Sequence, residues 1–231
     1  EAQIDILSPK EEEKLDEIVL KKLGLPLNEA PELKEWNEFL YRYKNPKREI
    51  KVALVGKYVE LHDAYKSISE ALIHAGASNE CRVKIEWLHS ERINSENVEK
   101  KLKGCSGILI APGFGLRGIE GKIVAAKYAR ENKIPFFGIC LGMQIAVIEF
   151  ARNILNLCGA DSTEMNPSTK HPVIDLMEEQ KEITDKGGTM RLGAYACHLK
   201  KDSNAYEAYG KSKISERHRH RYEFNDSYLK D

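Results

Sequence analysis

Hydrophobic and polar positions follow one pattern up to about residue 49 and another pattern beyond it. In the first part, apolar side chains recur at helical spacing, with one stripe through Leu15, Ile18 and Val19 and a second stripe after Pro31. A capping box at 8–11 predicts the start of the first helix. We interpret residues 1–49 as a helical connector between domains.

From residue 50 onward, short apolar runs alternate with amphipathic segments. The runs predict strands at 50–56, 83–88, 107–111 and 134–139, and the segments between and after them predict helices at 64–75, 95–102, 118–132 and 141–157. Shorter strands are predicted at 173–177, 189–199 and 220–224. Such alternation is typical of an α/β domain with a doubly wound, mostly parallel sheet, which we expect to occupy residues 50–231.

Cys140 lies between the last long strand and the helix that follows it, in the sequence Gly138-x-Cys140-x-Gly142. This is the thiol counterpart of the turn that presents a nucleophilic serine at a sharp strand-to-helix corner. The N-terminus of the next helix favours negative charge on the sulfur. A lone cysteine at a strand end is more often structural, but glycines on both sides favour a nucleophile.

Acyl chemistry at a thiol also needs donors for the oxyanion. The backbone N–H of Leu141 is one candidate, because it opens the helix directly after the cysteine. The turn 111–115, which follows another strand, contains glycines that can point an N–H inward. An ordinary glycine and proline loop is the alternative interpretation of this turn.

Composition narrows the function classes. The 231 residues are 42% hydrophobic, and 36 basic residues balance 36 acidic residues. The neutral balance gives no indication of nucleic-acid or membrane binding, although 217–221 is locally basic. Five scattered cysteines without a Cys-x-x-Cys pair suggest neither a disulfide framework nor a zinc site, so we expect a cytoplasmic protein. Because the chain begins at Glu1, we also expect a piece of a longer protein.

Five motifs, at 112–118, 138–144, 161–164, 187–193 and 216–223, together with 55–58 and 63–67, carry a family resemblance. The chain resembles the C-terminal class I glutamine amidotransferase domain of the CTP synthase family, in register over about 46–226. The resemblance implies a flavodoxin-like fold. The cysteine corner alone indicates only a class I glutaminase, and the last two motifs narrow the resemblance to CTP synthase.

The resemblance implies a role for each matching site residue. Cys140 would attack the side-chain amide of L-glutamine to form a thioester, and the N–H groups of Gly113 and Leu141 would hold the oxyanion. The positions that would line the glutamine pocket are Phe114, Gln144, Glu164 and Arg221. Arg221 suits the substrate α-carboxylate and Glu164 its α-ammonium group.

The resemblance also implies partners and an effector. Arg117 and Glu120 match a lid linked to activation by GTP, and Arg191 lies in a motif near that region. Ammonia would pass to a synthetase domain outside this chain that uses ATP and Mg to aminate UTP. Family members form homotetramers. No cofactor or metal is expected in the glutaminase domain itself.

Two departures from the family pattern stand out. Many members read Pro-Gly-Gly-Phe-Gly where this chain has Ala-Pro-Gly-Phe-Gly at 111–115. Because the proline at 112 offers no N–H, Gly113 must be the donor. The family's His-Pro-Glu motif, which supplies the histidine and carboxylate of the triad, does not occur in this chain.

We find no credible replacement for that histidine among His171, His198, His218 and His220. We therefore expect negligible glutaminase activity from this chain alone. The alternatives are a noncatalytic regulatory or scaffold module with a glutaminase-like fold, and a cysteine hydrolase of another family.

Overall fold

The computed structural model describes residues 14–27, 32–177 and 191–230. The capping box predicted at 8–11 and the first part of the motif at 187–193 lie outside these residues. The helices are α1 (Leu15–Lys22), α2 (Lys34–Lys44), α3 (Lys66–Ser78), α4 (Val98–Leu102), α5 (Ile119–Glu131), α6 (Leu141–Asn153) and α7 (Asn204–Tyr209). The strands are β1 (Arg48–Gly56), β2 (Cys81–His89), β3 (Gly107–Ile110), β4 (Phe136–Gly138), β5 (Asp161–Ser162), β6 (Pro172–Leu176), β7 (Arg191–His198), β8 (Lys213–His220) and β9 (Tyr222–Phe224).

The central sheet has the strand order β2-β1-β3-β4. β1 pairs with β3 in parallel, and β3 pairs in parallel with β4 through Ile108 opposite Phe136 and Ile110 opposite Gly138. This order matches the first four strands of a flavodoxin-like sheet. The predicted α/β class with a parallel sheet is confirmed.

Two smaller sheets complete the described strands. In one, β6 lies between β5, which is parallel to it, and β9, which is antiparallel to it. In the other, β7 and β8 form an antiparallel hairpin from Arg191 opposite His220 to His198 opposite Lys213.

The chain forms two compact units. The first comprises Glu1–Ile50 and Lys66–Lys84. Within it, the ring of Phe39 on α2 lies 5.1 Å from the ring of His74 on α3, and Leu40 is buried. Three apolar side chains of α1, those of Leu15, Ile18 and Val19, are exposed. The boundary that we expect between residues 49 and 50 stays a prediction.

The second unit comprises Lys51–Tyr65 and Ile85–Asp231 and contains the main apolar core. Central strands contribute fully buried side chains such as Val55 and Ile110, while α6 contributes Ile145 and Ile148. Arg130 of α5 binds the buried carboxylate of Glu149 on α6 with two short hydrogen bonds, of 2.8 and 3.0 Å. The core and this ion pair fix the two helices that flank the strand-to-helix corner.

Element ends differ from the prediction where local hydrogen bonds intervene. The helix predicted to run to residue 157 ends at Asn153, because Leu155 and Leu157 donate back to Phe150 and Ala151 as Asn156 takes a left-handed conformation. α4 begins at Val98 rather than at residue 95, because the side chains of Asn94 and Asn97 accept the backbone N–H groups that precede it.

Neither α7 nor most of β8 was predicted from the sequence. β8 is a strand whose half-buried face carries Ile214, Glu216, His218 and His220, so it lacks the apolar alternation that normally indicates a strand. Among the described helices, none has both the length and the apolar character needed to cross a lipid bilayer.

Candidate active site

Cys140 stands at the corner between β4 and α6 with a backbone conformation that L-residues rarely adopt. Its φ is 55° and its ψ is −109°. Strain of this kind costs on the order of 1–3 kcal/mol and persists only where the surroundings impose it. The thiol is half-buried and borders a cavity. The predicted presentation of the sulfur at a sharp turn therefore agrees with the observed backbone.

The two glycines of the corner are required by close backbone contacts. A Cβ on Gly142 would lie 2.3 Å from the carbonyl oxygen of Ile110 in β3. A Cβ on Gly138 would lie 2.4 Å from the carbonyl carbon of Gly142. Because both obstacles are backbone atoms, a side chain at either position would require the strand or the helix to move.

The turn after β3 lies beside the start of α6. Gly113 borders the cavity, and a Cβ built on it would lie 3.5 Å from Cδ2 of Leu141. The two residues proposed as oxyanion donors are thus neighbours next to the thiol. Leu141 itself is fully buried.

Two charged side chains hold the loop that continues from this turn. The ammonium group of Lys57, at the end of β1, donates to the carbonyl oxygens of Phe114 and Gly115. The carboxylate of Glu164 accepts a 3.1 Å hydrogen bond from the backbone N–H of Gly115. Burial and the neighbouring Arg117 lower the pKa of Lys57. The loop is therefore fixed by contacts from β1 and from the segment after β5.

Six of the predicted site residues come together in one place. A cavity of about 560 Å³ is lined by Gly113, Phe114, Cys140, Gln144, Glu164, Arg219, His220, Arg221 and Tyr222. Its size suits a small amino acid. Arg221 occupies the bend between β8 and β9, and the side-chain amide of Gln144 on α6 donates to the carbonyl of Tyr222 at 3.0 Å.

Lys122 is a buried cation beneath the same site that the sequence analysis missed. Its side chain is fully buried, and its ammonium group donates to the carbonyl of Ala111 at 3.0 Å. Burial lowers its pKa to about 8, an effect that nearby Lys57 increases and Cys140 opposes. The signal was present, because Lys122 lies three residues after buried Ile119 and four before buried Ala126, in the middle of the apolar face of α5.

Arg117 and Glu120 do not border this cavity. The guanidinium of Arg117 lies 5.3 Å from the centre of the Tyr58 ring and 3.8 Å from the carboxylate of Glu91. Glu120 accepts a 3.0 Å contact from Arg152 on α6. Their assignment to an effector lid stays a prediction, as does a role for Arg191, whose side chain lies outside the described part of the chain.

The comparisons with known proteins agree with this geometry. The family profile described as glutamine amidotransferase class-I matches residues 60–231. The chain belongs to the class-I glutamine amidotransferases. This amidotransferase also resembles a solved structure, the glutaminase domain of Trypanosoma brucei CTPS with bound acivicin, at 38% identity and a TM-score of 0.72, over 78% of this chain and 70% of that one.

Curated relatives of this amidotransferase include two CTP synthases. That of Flavobacterium psychrophilum is 63% identical over 218 residues, and that of Cytophaga hutchinsonii is 65% identical over 218 residues. The matches cover 94% of this chain but only 41% and 40% of those proteins. The chain thus corresponds to the glutaminase portion of its relatives.

Proposed function

We propose that this amidotransferase chain binds L-glutamine in the cavity beside Cys140 and that its thiolate attacks the side-chain amide carbon. The proposal rests on one observation: a half-buried thiol on a strained backbone, a glycine turn and Arg221 all border the same cavity. The relatives support glutamine as the substrate class.

In this mechanism the sulfur forms a bond to the amide carbon, and the carbonyl oxygen becomes an oxyanion between the N–H groups of Gly113 and Leu141. Donors fixed before the reaction stabilise the developing charge without reorganisation. Collapse of the intermediate releases ammonia, which needs one proton, and leaves a thioester. Water then cleaves the thioester to glutamate and restores the thiol.

Two charged residues that border the same cavity can recognise the amino-acid end of the substrate. Arg221 can donate two parallel hydrogen bonds to the α-carboxylate, and Glu164 offers a carboxylate to the α-ammonium group. One Glu164 oxygen already accepts from Gly115, so its position is coupled to the turn that carries the oxyanion donor. Substrate recognition and oxyanion stabilisation are thereby connected through a single carboxylate.

A diazo-ketone analogue of glutamine tests the site directly. The thiol displaces dinitrogen from the analogue, and peptide mass spectrometry locates the new sulfur–carbon bond. We expect labelling of Cys140 to be much faster than that of exposed Cys158, and L-glutamine but not D-glutamine to protect it. Equal labelling of the cysteines would contradict the proposal and favour a scaffold module.

We further propose that the chain alone has negligible turnover, because no His-Pro-Glu motif is present in its sequence to supply a triad histidine. Loss of that histidine costs on the order of 10⁶ in kcat in a template hydrolase. We expect stoichiometric labelling of Cys140 without catalytic ammonia release. Steady ammonia release from L-glutamine at rates typical of enzymes would refute this part of the proposal.

For a full-length protein that contains this chain and resembles the relatives over their whole length, we propose the reaction of a CTP synthase. Ammonia released beside Cys140 would aminate UTP in a synthetase domain that binds ATP and Mg, with GTP as an activator acting near Arg117 and Glu120. A tetrameric assembly in the cytoplasm follows from the same resemblance. A full-length protein that forms CTP from UTP only when Cys140 is intact, unless ammonia is supplied, would agree with this role.

A further inference from the structure

Two histidines and a glutamate form a compact cluster that the proposed glutaminase chemistry does not use. His218 and His220 lie two residues apart on β8 and therefore project from the same face of the strand. Glu223 lies on β9, beyond the bend at Arg221. One potential ligand atom from each of the three side chains lies within 4.8 Å of the others.

The arrangement of the two imidazole rings fits a shared metal ion. Their Nδ1 atoms are 3.3 Å apart, and the ring centres are 5.3 Å apart at an interplanar angle of 69°. Two imidazoles on one tetrahedral Zn²⁺, with Zn–N bonds of about 2.0–2.1 Å, would place the nitrogens about 3.3 Å apart and the ring centres about 5.2 Å apart.

The glutamate is within reach as a third ligand. An Oε1 atom of Glu223 lies 4.0 Å from Nδ1 of His218, and both side chains are roughly one-quarter exposed. A shift of about 1 Å, within the range of small side-chain rotations, would bring the oxygen to the distance that a common metal ion requires. Water can occupy a remaining position, because the cluster is only partly buried.

The neighbouring strand leaves space at this point. Residue 193 on β7 lies opposite His218, and it is a glycine whose Cβ position has no atom within 4 Å. The next aromatic ring on that strand, Tyr195, contacts the His218 ring edge-on at 5.5 Å between centres. Arg217 and Arg219 alternate with the histidines and leave β8 on its other face.

From this geometry we propose that His218, His220 and Glu223 bind a divalent transition-metal ion, with Zn²⁺ as the best match. Two imidazoles and one carboxylate form a ligand set typical of Zn²⁺, with the fourth position open to water. Mg²⁺ and Ca²⁺ prefer oxygen ligands and fit this set less well. No metal ligand was predicted from the sequence, where His218 and His220 were considered as part of the motif at 216–223 and as replacements for the triad histidine.

The location gives the ion a structural connection to the cavity. His220 also borders the cavity that contains Cys140, and Arg221 is the next residue along the chain. An ion held between β8 and β9 would therefore fix the bend that carries Arg221. This site is separate from the thiol chemistry and does not depend on it.

The test uses the full chain, freed of metal by a chelator and titrated with ZnCl2 or CoCl2. We expect one equivalent of Zn²⁺ to bind by calorimetry, and Co²⁺ to give the visible absorption of a nitrogen and oxygen site. The double substitution His218→Gln and His220→Gln should weaken binding at least 100-fold. The matched control is His198→Gln, an exposed histidine on β7, and it should bind as the unaltered chain does.

Cysteine must be excluded as the ligand. Cys140→Ser should retain binding, and a loss of binding in that variant would overturn the proposal, as would unchanged binding in the double histidine variant. Circular dichroism of the metal-free forms checks folding. Should the double variant fail to fold, Glu223→Gln replaces it, and Zn²⁺ is expected to raise the Tm of the unaltered chain by several degrees more than that of Glu223→Gln. An equal rise in both would refute the site.

Discussion

The thiol part of the cavity is fixed by close packing of backbone atoms, whereas the recognition part is held by strand pairing and a side-chain hydrogen bond between distant segments. On the thiol side, Gly142 lies against the carbonyl of Ile110 and Cys140 is forced into a strained conformation. On the recognition side, Arg221 lies in a bend whose position depends on the pairing of β9 with β6 and on the hydrogen bond from Gln144 to Tyr222. The nucleophile therefore depends on the glycines of its own turn packing tightly against the sheet, while substrate recognition depends on the pairing of strands that are far apart in the sequence.

The largest effect is expected from Gly142→Ala. The added methyl group would collide with the backbone oxygen of Ile110, and overpacking against backbone cannot be relieved by a rotamer change, so we expect a loss of more than about 3 kcal/mol in the free energy of unfolding. Urea denaturation measures it. Gly107→Ala in β3 is the matched control, because its Cβ would meet only an ordinary contact at 3.6 Å. Similar losses of stability in the two variants would show that the close packing of Gly142 against Ile110 is not what fixes the thiol part of the cavity.

Arg221→Met should separate recognition from reactivity. We expect Cys140 to react about 100-fold more slowly with the diazo-ketone glutamine analogue, because the carboxylate of the analogue loses its charged partner. Alkylation by iodoacetamide, which has no amino-acid end, should change little. Arg217→Met, which changes an exposed arginine on β8, serves as control. Equal slowing with both reagents would mean that Arg221 also supports the thiol side.

Lys122→Met should change how stability depends on pH. The folded-state pKa of Lys122 is about 8, below its ordinary 10.5, so between these values the unfolded chain binds more protons and the free energy of unfolding rises with pH. We expect the slope across pH 8–10 to be up to about 1.4 kcal/mol per pH unit steeper in the unaltered chain than in the variant. Lys127→Met, on the exposed face of α5, should keep the steep slope. A Lys122→Met chain that also kept the steep slope would contradict the lowered pKa of Lys122.

The smallest expected effect concerns backbone strain at the nucleophile. Cys140→Gly should be more stable than Cys140→Ala by about 1 kcal/mol, because glycine adopts a φ of 55° without the cost that a Cβ imposes. Thermal and urea denaturation of the two variants, neither of which has the thiol, measure the difference. A lower stability of Cys140→Gly than of Cys140→Ala would show that the corner is relaxed rather than strained, because glycine loses more conformational freedom on folding.

The parallel sheet and the nucleophile corner were predictable because their signals are local. The apolar runs at 52–55 in β1, 107–110 in β3 and 136–138 in β4 contain no charged residue, and the glycines beside Cys140 are spaced for one turn. Their partners along the sheet follow from the order of strands and helices. The family resemblance then brought Gly113, Gln144 and Arg221 into the same prediction, and the structure places all three on one cavity.

Long-range contacts explain what the sequence did not reveal. β8 carries histidines and charges rather than apolar residues, so no periodic signal marked it as the partner of β7. Nothing in the local pattern indicated that Lys57 would reach the carbonyls of Phe114 and Gly115 across more than fifty residues. Lys122 was missed although its spacing from Ile119 and Ala126 puts it on the apolar face of α5, because a lysine is normally assigned to the solvent face of a helix.

The contact between Gly142 and Ile110 also limits how the protein can be regulated. α6 has no room to slide or rotate against β3. The sulfur therefore keeps the same position relative to the sheet as long as the sheet stays intact. A regulatory signal must therefore leave the thiol in place and change how substrate reaches it. Rearrangement of β8 and β9, which flank Arg221, would have that effect.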